Sequence, residues 1–369
     1  MTAAFFISGH GFGHASRQVE IINALSRRRP DLRILIRSAV SPSLLSRTLR
    51  AEVDLRPGAC DTGIVQSSSV AHDDDATAEA ARAFYADYDA RVVADTAALA
   101  GEDVRLVVGD IPPLAFDVAS RLGVPSVAIA NFTWDWIYAT HPGLSDRPAL
   151  LETIRSAYRR ATEALALPFA GGFEVFPRVR RLPLVARHGG QPRDASRCHF
   201  GLPADRPVAL LSFGGYGLPD LDLAGLDCLE TWTIATTDRI STPSGSLPDQ
   251  VVFLEEERFL GGAFRYEDLV AASDAVVTKP GYGIIAECIA AGTAMLYTSR
   301  GAFREYDLLV REMPRYLRCR FIGHAELFGG RWRAALDALV AGPPPPDTLE
   351  TNGAEVAAGI LADLCGPVQ

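Results

Sequence analysis

This 369-residue chain has a single lysine, Lys279, and its other basic side chains are arginine and histidine. An ammonium retained in such a background indicates a position that needs a compact point charge. Cysteine is also sparse, with six residues and no CxxC pair. This pattern argues against a metal site or a disulfide framework and fits a reducing cytoplasm.

Long apolar runs and excess positive charge are missing as well. No stretch approaches the roughly 18 consecutive apolar residues of a membrane span. The N-terminal MTAAFFISGHGFGH has no basic n-region, so no signal peptide is predicted. The net charge of −9 argues against nucleic-acid binding. With 48% hydrophobic and 22% charged residues, the composition predicts a soluble, cytoplasmic α/β protein of about two domains.

The stretch Asp274–Ala291 carries the strongest functional signal. An apolar strand, Ala275–Thr278, leads into a glycine and proline loop, and a helix is predicted to begin near Ile284. The start of a helix has unpaired N–H groups and partial positive charge, so it attracts phosphate. Gly281 and Gly283 are expected to permit positive φ and a close approach of an anion to the backbone.

Two side chains extend this predicted phosphate site. Glu287 lies in the first helical turns, where it is expected to reach a ribose. Lys279 is expected to lie near the phosphates, or else to be a surface lysine that pairs with Asp274. Together these features predict one half of a nucleotide-sugar site.

The N-terminus has a second strand, glycine loop and helix. The strand Ala3–Ser8 runs into a loop with two histidines, His10 and His14, and a helix follows. No acidic residue follows the second strand, Leu32–Ile36, so dinucleotide binding is not predicted. The histidines instead indicate that a hydroxyl or a charged group meets the end of the first strand.

Polar and aromatic residues follow two later strands of the first half. Asp110 and Asn131 stand at strand ends, where open α/β sheets bind ligands. Trp134 and Asp135 belong to an aromatic loop that walls a cleft or meets another domain. Helices are predicted over three further stretches: Ala76–Leu99, Leu114–Leu122 and Leu150–Leu165.

The strand and glycine-loop pattern begins again at Pro207, which predicts two doubly wound, Rossmann-like α/β domains facing a central cleft. The predicted divisions are an N-terminal acceptor domain (1–190), a linker (191–206), a C-terminal donor domain (207–345) and a last helical segment that returns to the first domain (346–369).

The sequence resembles the GT-B glycosyltransferases, in particular the glycosyltransferase-like N-terminal half of plant-type L-arabinokinases, and more distantly the MurG and monogalactosyldiacylglycerol synthase group. The matching segments are SGHGFGHASR (8–17), DTGIVQ (61–66), VVGDIPPLA (107–115), NFTWDWIYA (131–139), LSFGGYG (211–217), YEDLVAASDAVVTKPGYGIIAE (266–287), REYDLLVREM (304–313) and NGAEVAAGILADL (352–364).

The resemblance implies a role for residues of both halves. Gly214 and Gly215 would contact one donor phosphate, and Gly281 and Gly283 with the following helix would contact the other. Glu287 would bind the ribose hydroxyls. The loop that reads the transferred sugar would include Arg304 and Glu305. His14 matches the histidine that closes the glycine loop of MurG.

The predicted mechanism is inversion without a metal. Asp73–Asp75 does not follow a strand as a metal-binding DxD motif would, so no metal site is predicted. Helix dipoles and backbone N–H groups would instead stabilise the leaving diphosphate. His14 is predicted to be the general base, or else to cap its helix or contact the donor. Asp110 is the base, the group that orients it, or a cap for the helix at Leu114. His10 is predicted to pack or to contact the acceptor, with a catalytic role as the alternative. Asn131, Trp134 and Asp135 are predicted to contact the acceptor, and interdomain packing is the alternative for Trp134 and Asp135.

The predicted function is transfer of a sugar from a nucleotide-diphosphate sugar, UDP rather than GDP, to a small soluble acceptor. The nucleotide sugar is a co-substrate, and no resident cofactor is predicted. A non-hydrolysing nucleotide-sugar 2-epimerase and a non-catalytic nucleotide-sugar-binding module are the alternatives.

Overall fold

The computed structural model of the chain describes residues 1–42, 45, 48–68, 70–214, 217–218, 220–238, 247–259, 262–301 and 303–367. These residues form two compact units. Unit 1 comprises Met1–Val65, His72–Ala186 and Glu350–Gln369, and unit 2 comprises Gln66–Ala71 and Arg187–Leu349.

Unit 1 is built on a parallel sheet with the strand order β3-β2-β1-β4-β5-β6-β7. Its strands are β1 (Thr2–Ile7), β2 (Arg33–Ser38), β3 (Val53–Pro57), β4 (Val104–Asp110), β5 (Ser126–Phe132), β6 (Glu163–Gly171) and β7 (Val179–Arg181). The chain leaves β1 toward β2 on one side and returns to β4 on the other, so the strand order reverses between β1 and β4. Doubly wound sheets bind ligands at this reversal.

The helices of unit 1 cover both faces of this sheet. They are α1 (Gly11–Arg28), α2 (Asp74–Ala86), α3 (Tyr88–Leu99), α4 (Leu114–Leu122), α5 (Trp134–Tyr138), α6 (Pro148–Tyr158) and, from the end of the chain, α13 (Gly353–Leu364). The last helix packs on α1, where Arg29 Nη1 donates to the carbonyl oxygen of Ala362 at 3.2 Å.

Unit 2 repeats the plan with a parallel sheet of order β10-β9-β8-β11-β12-β13, which reverses between β8 and β11. Its strands are β8 (Val208–Ser212), β9 (Thr233–Thr236), β10 (Val251–Phe253), β11 (Ala275–Thr278), β12 (Ala294–Tyr297) and β13 (Cys319–Phe321). Its helices are α7 (Arg193–Phe200), α8 (Tyr266–Ala272), α9 (Tyr282–Ala291), α10 (Arg304–Glu312), α11 (His324–Phe328) and α12 (Arg333–Val340). The predicted pair of doubly wound α/β domains is confirmed.

Two predicted helices of unit 1 are wrong in extent. The helix expected over Ala76–Leu99 is interrupted at Asp87, whose φ of −102° and ψ of 13° separate α2 from α3. Directly after this break, the Tyr88 phenol donates to the buried carboxylate of Asp117, a tertiary contact that the local sequence does not encode.

The helix expected over Leu150–Leu165 ends at Tyr158, and the strand β6 begins at Glu163. Periodicity alone cannot separate a buried strand from a buried helix, because both present a continuous apolar run. The run Ala164–Leu167 is buried on both faces of the sheet, between β5 and β7.

Residues 191–206, which were predicted as a linker, contain helix α7 and lie within unit 2. Arg197 of this helix donates to the Asp274 carboxylate at 2.7 Å and to the carbonyl oxygen of Ala272 at 3.0 Å. The stretch is therefore a structured part of unit 2. Across the described ranges, no helix is both long and apolar enough to cross a membrane.

Candidate functional site

The first group of predicted residues lies where β1 of unit 1 meets α1. His10 is the N-cap residue of α1, and the next residue, Gly11, has φ of +71°, a conformation that favours glycine. A Cβ on Gly63 would lie 2.5 Å from the Cβ of His10, so only glycine permits this close approach. The Nδ1 atom of His10 accepts from the backbone N–H of Ile64 at 3.2 Å, which fixes the ring in place.

His14, one turn into α1, is held by a carboxylate from the neighbouring strand end. Its Nδ1 atom lies 2.8 Å from Oδ1 of Asp110, the last residue of β4, and His14 is 4% exposed. Arg17 Nη2 also lies 2.8 Å from Nδ1, and a guanidinium only donates, so the tautomer decides which of the two contacts Nδ1 makes. In the tautomer with the proton on Nδ1, His14 donates to the Asp110 carboxylate. The other ring nitrogen, Nε2, is then the basic one.

Asp110 itself is fully buried and has several further donors. Arg17 donates to Oδ2 through Nε at 2.6 Å and to Oδ1 through Nη2 at 2.5 Å, and Gln18 Nε2 donates to Oδ2 at 2.9 Å. Burial raises the pKa of Asp110, but the charges of Arg17 and His14 and their hydrogen bonds outweigh it and lower that pKa to about 2. Asp110 is thus an anion that orients His14 and is too weak a base to take an acceptor proton near neutral pH.

The alternative that Asp110 caps the helix at Leu114 is wrong. Pro113 occupies the N-cap position of α4, and no side chain caps this end. The buried Arg17, which sequence reasoning did not select, is the main partner of Asp110. Its position three residues after His14 on a helix was a usable signal, since residues spaced by three share a helix face.

The three predicted acceptor contacts of the aromatic loop lie close to this network but are largely enclosed. Asn131 accepts from Arg17 Nη1 at 2.6 Å. Trp134 is buried and stacked on Tyr138, with 5.4 Å between ring centroids, and Asp135 pairs with Arg155 at 3.1 Å. The acceptor roles of His10, Asn131, Trp134 and Asp135 stay predictions.

A second buried carboxylate, Asp61, lies close enough to His14 to interact with its charge and was missed as a site residue. It accepts from Ser8 Oγ at 2.9 Å and from the indole Nε1 of Trp134 at 2.7 Å. Burial raises the pKa of Asp61 to about 6, although the charge of His14 and these two hydrogen bonds oppose it. This part of unit 1 therefore contains two buried carboxyl groups with opposite pKa shifts.

This raised pKa has a consequence for stability. The native state holds the Asp61 proton more tightly than the unfolded chain, whose carboxyl titrates near 3.8. The contribution of Asp61 is therefore fully present below pH 4 and is lost as the pH rises toward 6. We expect the wild-type free energy of unfolding, relative to Asp61→Asn, to fall by about 3 kcal/mol over this range.

Urea denaturation of both proteins at pH 4 to 7 measures this difference. Asp146→Asn, a substitution at an exposed aspartate of the same unit, is the control. A difference between wild type and Asp61→Asn that stays constant with pH would contradict the prediction.

In unit 2 the predicted phosphate site lies at the start of α9, after β11. Gly281 is the N-cap residue, and the helix begins at Tyr282, two residues earlier than predicted. Gly281 has φ of −150° and Gly283 lies in the first helical turn, so the expected positive φ at these glycines is wrong. A Cβ on Gly281 would meet no atom within 4 Å among the described residues, so space is open beside the helix start.

The neighbouring loop after β8 borders the same strand reversal. Gly214 has φ of +73°, a conformation that suits glycine. Gly215, predicted to bind the same phosphate, lies outside the described residues. The phosphate-binding roles of all four glycines stay predictions.

Lys279 is a partly buried residue between β11 and α9. The alternative that it pairs with Asp274 is wrong, because that carboxylate binds Arg193 and Arg197, each at 2.7 Å. Burial and then the charge of Arg300 lower the pKa of Lys279 to about 8, against the opposing charge of Asp238. A desolvated ammonium beside a helix start adds to the attraction for an anion.

Glu287 faces inward from α9 and is 4% exposed. Arg187 donates to its Oε1 atom through Nε at 2.7 Å and also through Nη2. Burial lowers the pKa of Arg187, but the charges of Glu287 and Glu267 outweigh this effect and raise that pKa above its usual value. Arg187 was placed in the N-terminal domain by the sequence division, so its contact with Glu287 was missed.

The predicted sugar-reading residues begin α10. Arg304 is its first residue, and Glu305, which is buried, lies 3.6 Å from Nη1 of Arg300. Asp73, considered as a metal ligand, instead accepts from the backbone N–H of Ala76 and caps α2. Across the described part of the chain, no cluster of three or more His, Cys, Asp or Glu side chains is arranged to hold a metal ion.

The sequence has two informative relatives among curated proteins. It is 27% identical over 377 aligned positions to L-arabinokinase of Arabidopsis thaliana, covering 98% of this chain and 34% of that protein. It is 28% identical over 189 positions to a UDP-N-acetylglucosamine–N-acetylmuramyl-(pentapeptide) pyrophosphoryl-undecaprenol N-acetylglucosamine transferase of Clavibacter michiganensis subsp. michiganensis, covering 50% of this chain and 47% of that one. The chain thus spans about a third and about half of the length of these relatives. No protein-family model matches it.

Among solved structures, the calicheamicin glycosyltransferase CalG4 superimposes with a TM-score of 0.64 at 18% identity, over 99% of this chain and 98% of that one. A match at this identity concerns the fold. Together with the two doubly wound sheets, it shows that the chain has the GT-B glycosyltransferase fold.

Proposed function

We propose that the protein is a metal-independent, inverting glycosyltransferase that moves a sugar from a nucleotide-diphosphate sugar to a small soluble acceptor. The observation that carries the proposal is the buried pair of His14 and Asp110, with its 2.8 Å hydrogen bond at the strand reversal of unit 1. A histidine oriented by an ionised carboxylate is an arrangement suited to general-base catalysis.

The protonation state of the His14–Asp110 pair suits the activation of an acceptor hydroxyl. Nδ1 of His14 donates to Asp110, so Nε2 accepts the acceptor proton as the new glycosidic bond forms. The imidazolium that results is stabilised by the Asp110 anion, which Arg17 and Gln18 keep ionised. One displacement at the anomeric carbon inverts its configuration.

Unit 2 supplies the groups for the leaving diphosphate. The open start of α9 at Gly281 offers backbone N–H groups and the positive end of a helix dipole. Lys279 adds an ammonium beside it, and the fixed donors stabilise the charge that develops on the diphosphate. UDP is favoured over GDP because the name of the Clavibacter relative specifies a UDP sugar.

Incubating the protein with UDP and GDP sugars, with and without a panel of hydroxylated acceptors, tests the proposal. Release of free UDP that depends on the acceptor, and that persists in EDTA, supports it. The anomeric configuration of the product, read by NMR, tests inversion. A new epimer without UDP release would indicate a 2-epimerase, and binding without turnover would indicate a non-catalytic module.

Glu287→Gln is expected to weaken UDP binding by about tenfold, because a charge-assisted hydrogen bond to the ribose is replaced by a neutral one. The specific readout is 2′-deoxy-UDP, measured by calorimetry beside UDP. Wild type should prefer UDP over the deoxy compound, and the variant should lose most of this preference. Glu312→Gln, at the half-buried last residue of α10 that pairs with Arg311, is the control. An unchanged preference in Glu287→Gln would remove the ribose assignment.

A further inference from the structure

Arg300 is a buried cation of unit 2 to which the predicted site gives no role. It follows β12, the neighbour of β11, and is 7% exposed. Its Nη1 atom donates to the carbonyl oxygen of Pro280 at 3.2 Å and lies 3.6 Å from Oε2 of Glu305. Its guanidinium carbon lies 4.6 Å from the centre of the Phe303 ring. One side chain thus joins the loop before α9 to the start of α10.

Two buried polar groups at this strand end can each form a further hydrogen bond. The Nε atom of Arg300 is buried and has no hydrogen-bond acceptor among the described residues. The Oγ1 atom of Thr298, which is fully buried two residues earlier, also lacks a partner within that part of the chain. Buried donors without acceptors are unfavourable, so a ligand with acceptor oxygens would complete both groups.

We propose that Arg300 is a donor-binding and positioning residue, which presents Nε to an oxygen of the nucleotide sugar while it fixes Pro280 and Glu305. The inference rests on the proposed function, because it takes the start of α9 as the donor site. A bidentate guanidinium fits this task better than an ammonium, because its fork contacts two loops in a fixed geometry. Arg300 would therefore hold the phosphate-binding start of α9 and the sugar-reading start of α10 in a fixed position relative to each other.

The electrostatics of Lys279 provide a readout of this arrangement that does not depend on turnover. The charged groups that act on Lys279 are Arg300, which lowers its pKa, and Asp238, which raises it. Asp238 is itself held by the backbone N–H of Phe213 at 2.9 Å. If Arg300 lies as described, removing its charge raises the pKa of Lys279, and removing the charge of Asp238 lowers it.

The single lysine makes this measurement direct. Protein labelled with ¹³C-lysine, carrying a tag without lysine, gives one side-chain signal whose midpoint is followed against pH by NMR. We expect a wild-type midpoint near pH 8, an increase of about one pH unit in Arg300→Gln, and a decrease in Asp238→Asn. Arg311→Gln, an exposed position on α10, is expected to leave the midpoint unchanged.

Binding of UDP and of a UDP sugar to the same proteins, measured by calorimetry, tests the donor role. Arg300→Gln is expected to bind the UDP sugar about tenfold more weakly. Arg300→Lys, which keeps the charge and loses the fork, is expected to show a similar loss and serves if Arg300→Gln does not fold. Arg311→Gln should bind like wild type.

The outcomes separate the inference from the proposed function. A folded Arg300→Gln that keeps the wild-type midpoint of Lys279 and the wild-type affinity overturns the inference alone. Wild-type affinity in both Arg300 variants overturns its donor role. A wild-type protein that binds no nucleotide overturns the proposed function, and the donor role of Arg300 with it.

Discussion

Replacing His14 with alanine is expected to reduce the rate of sugar transfer by about 10²–10⁴-fold, the usual contribution of a general base. The reason is that Nε2 of His14 is the basic nitrogen of the pair, whereas the pKa of Asp110 is too low, at about 2, for it to replace the lost base. Affinity for UDP should stay within about threefold of wild type, since the diphosphate contacts are assigned to unit 2.

Steady-state kinetics with the best donor and acceptor pair measures the effect, with calorimetry for UDP. His141→Ala, at a second buried histidine of unit 1, is the matched control and should transfer at nearly the wild-type rate. The pH profile adds a second check, because the limb that reports a base should vanish in His14→Ala. A variant that retains the wild-type rate and profile would exclude His14 as the base.

The architecture followed from the sequence because its signals are local. The first sheet begins with an apolar strand, a glycine loop and a helix, and the second begins with an apolar strand and a glycine loop. This repeated order predicts parallel sheets. The strand ends at Asp110 and Lys279 were correctly placed for the same reason. The interruption at Asp87 and the strand β6 were missed, because a buried contact and a two-sided apolar run leave no distinctive period.

The partners of the predicted site residues were the main omission. Asp110 was selected for its place at a strand end, but its ion pair with Arg17 joins positions 93 residues apart. The bond between Arg187 and Glu287 spans 100 residues. A single sequence shows which residues end strands and begin helices, whereas the choice of counter-ion depends on side chains that meet only in the folded chain.

Asp110→Asn is expected to lower the free energy of unfolding by about 3–5 kcal/mol, because it removes the carboxylate that binds the buried Arg17 guanidinium through two nitrogen atoms. The asparagine also has one acceptor oxygen where Arg17 and Gln18 need two. Transfer should fall by at least about 10²-fold, since neither the tautomer nor the imidazolium of His14 is then stabilised. Urea denaturation and steady-state kinetics measure the two effects.

The double variant Arg17→Gln/Asp110→Asn separates the catalytic from the structural contribution. Removing both charges takes away the buried cation together with its carboxylate, so the double variant should recover much of the stability that Asp110→Asn loses. It should not recover transfer, because His14 still lacks an anionic partner. If transfer returned together with stability, Asp110 would serve only to neutralise Arg17. If stability returned and transfer did not, the carboxylate would act through His14, as the 2.8 Å hydrogen bond between them indicates.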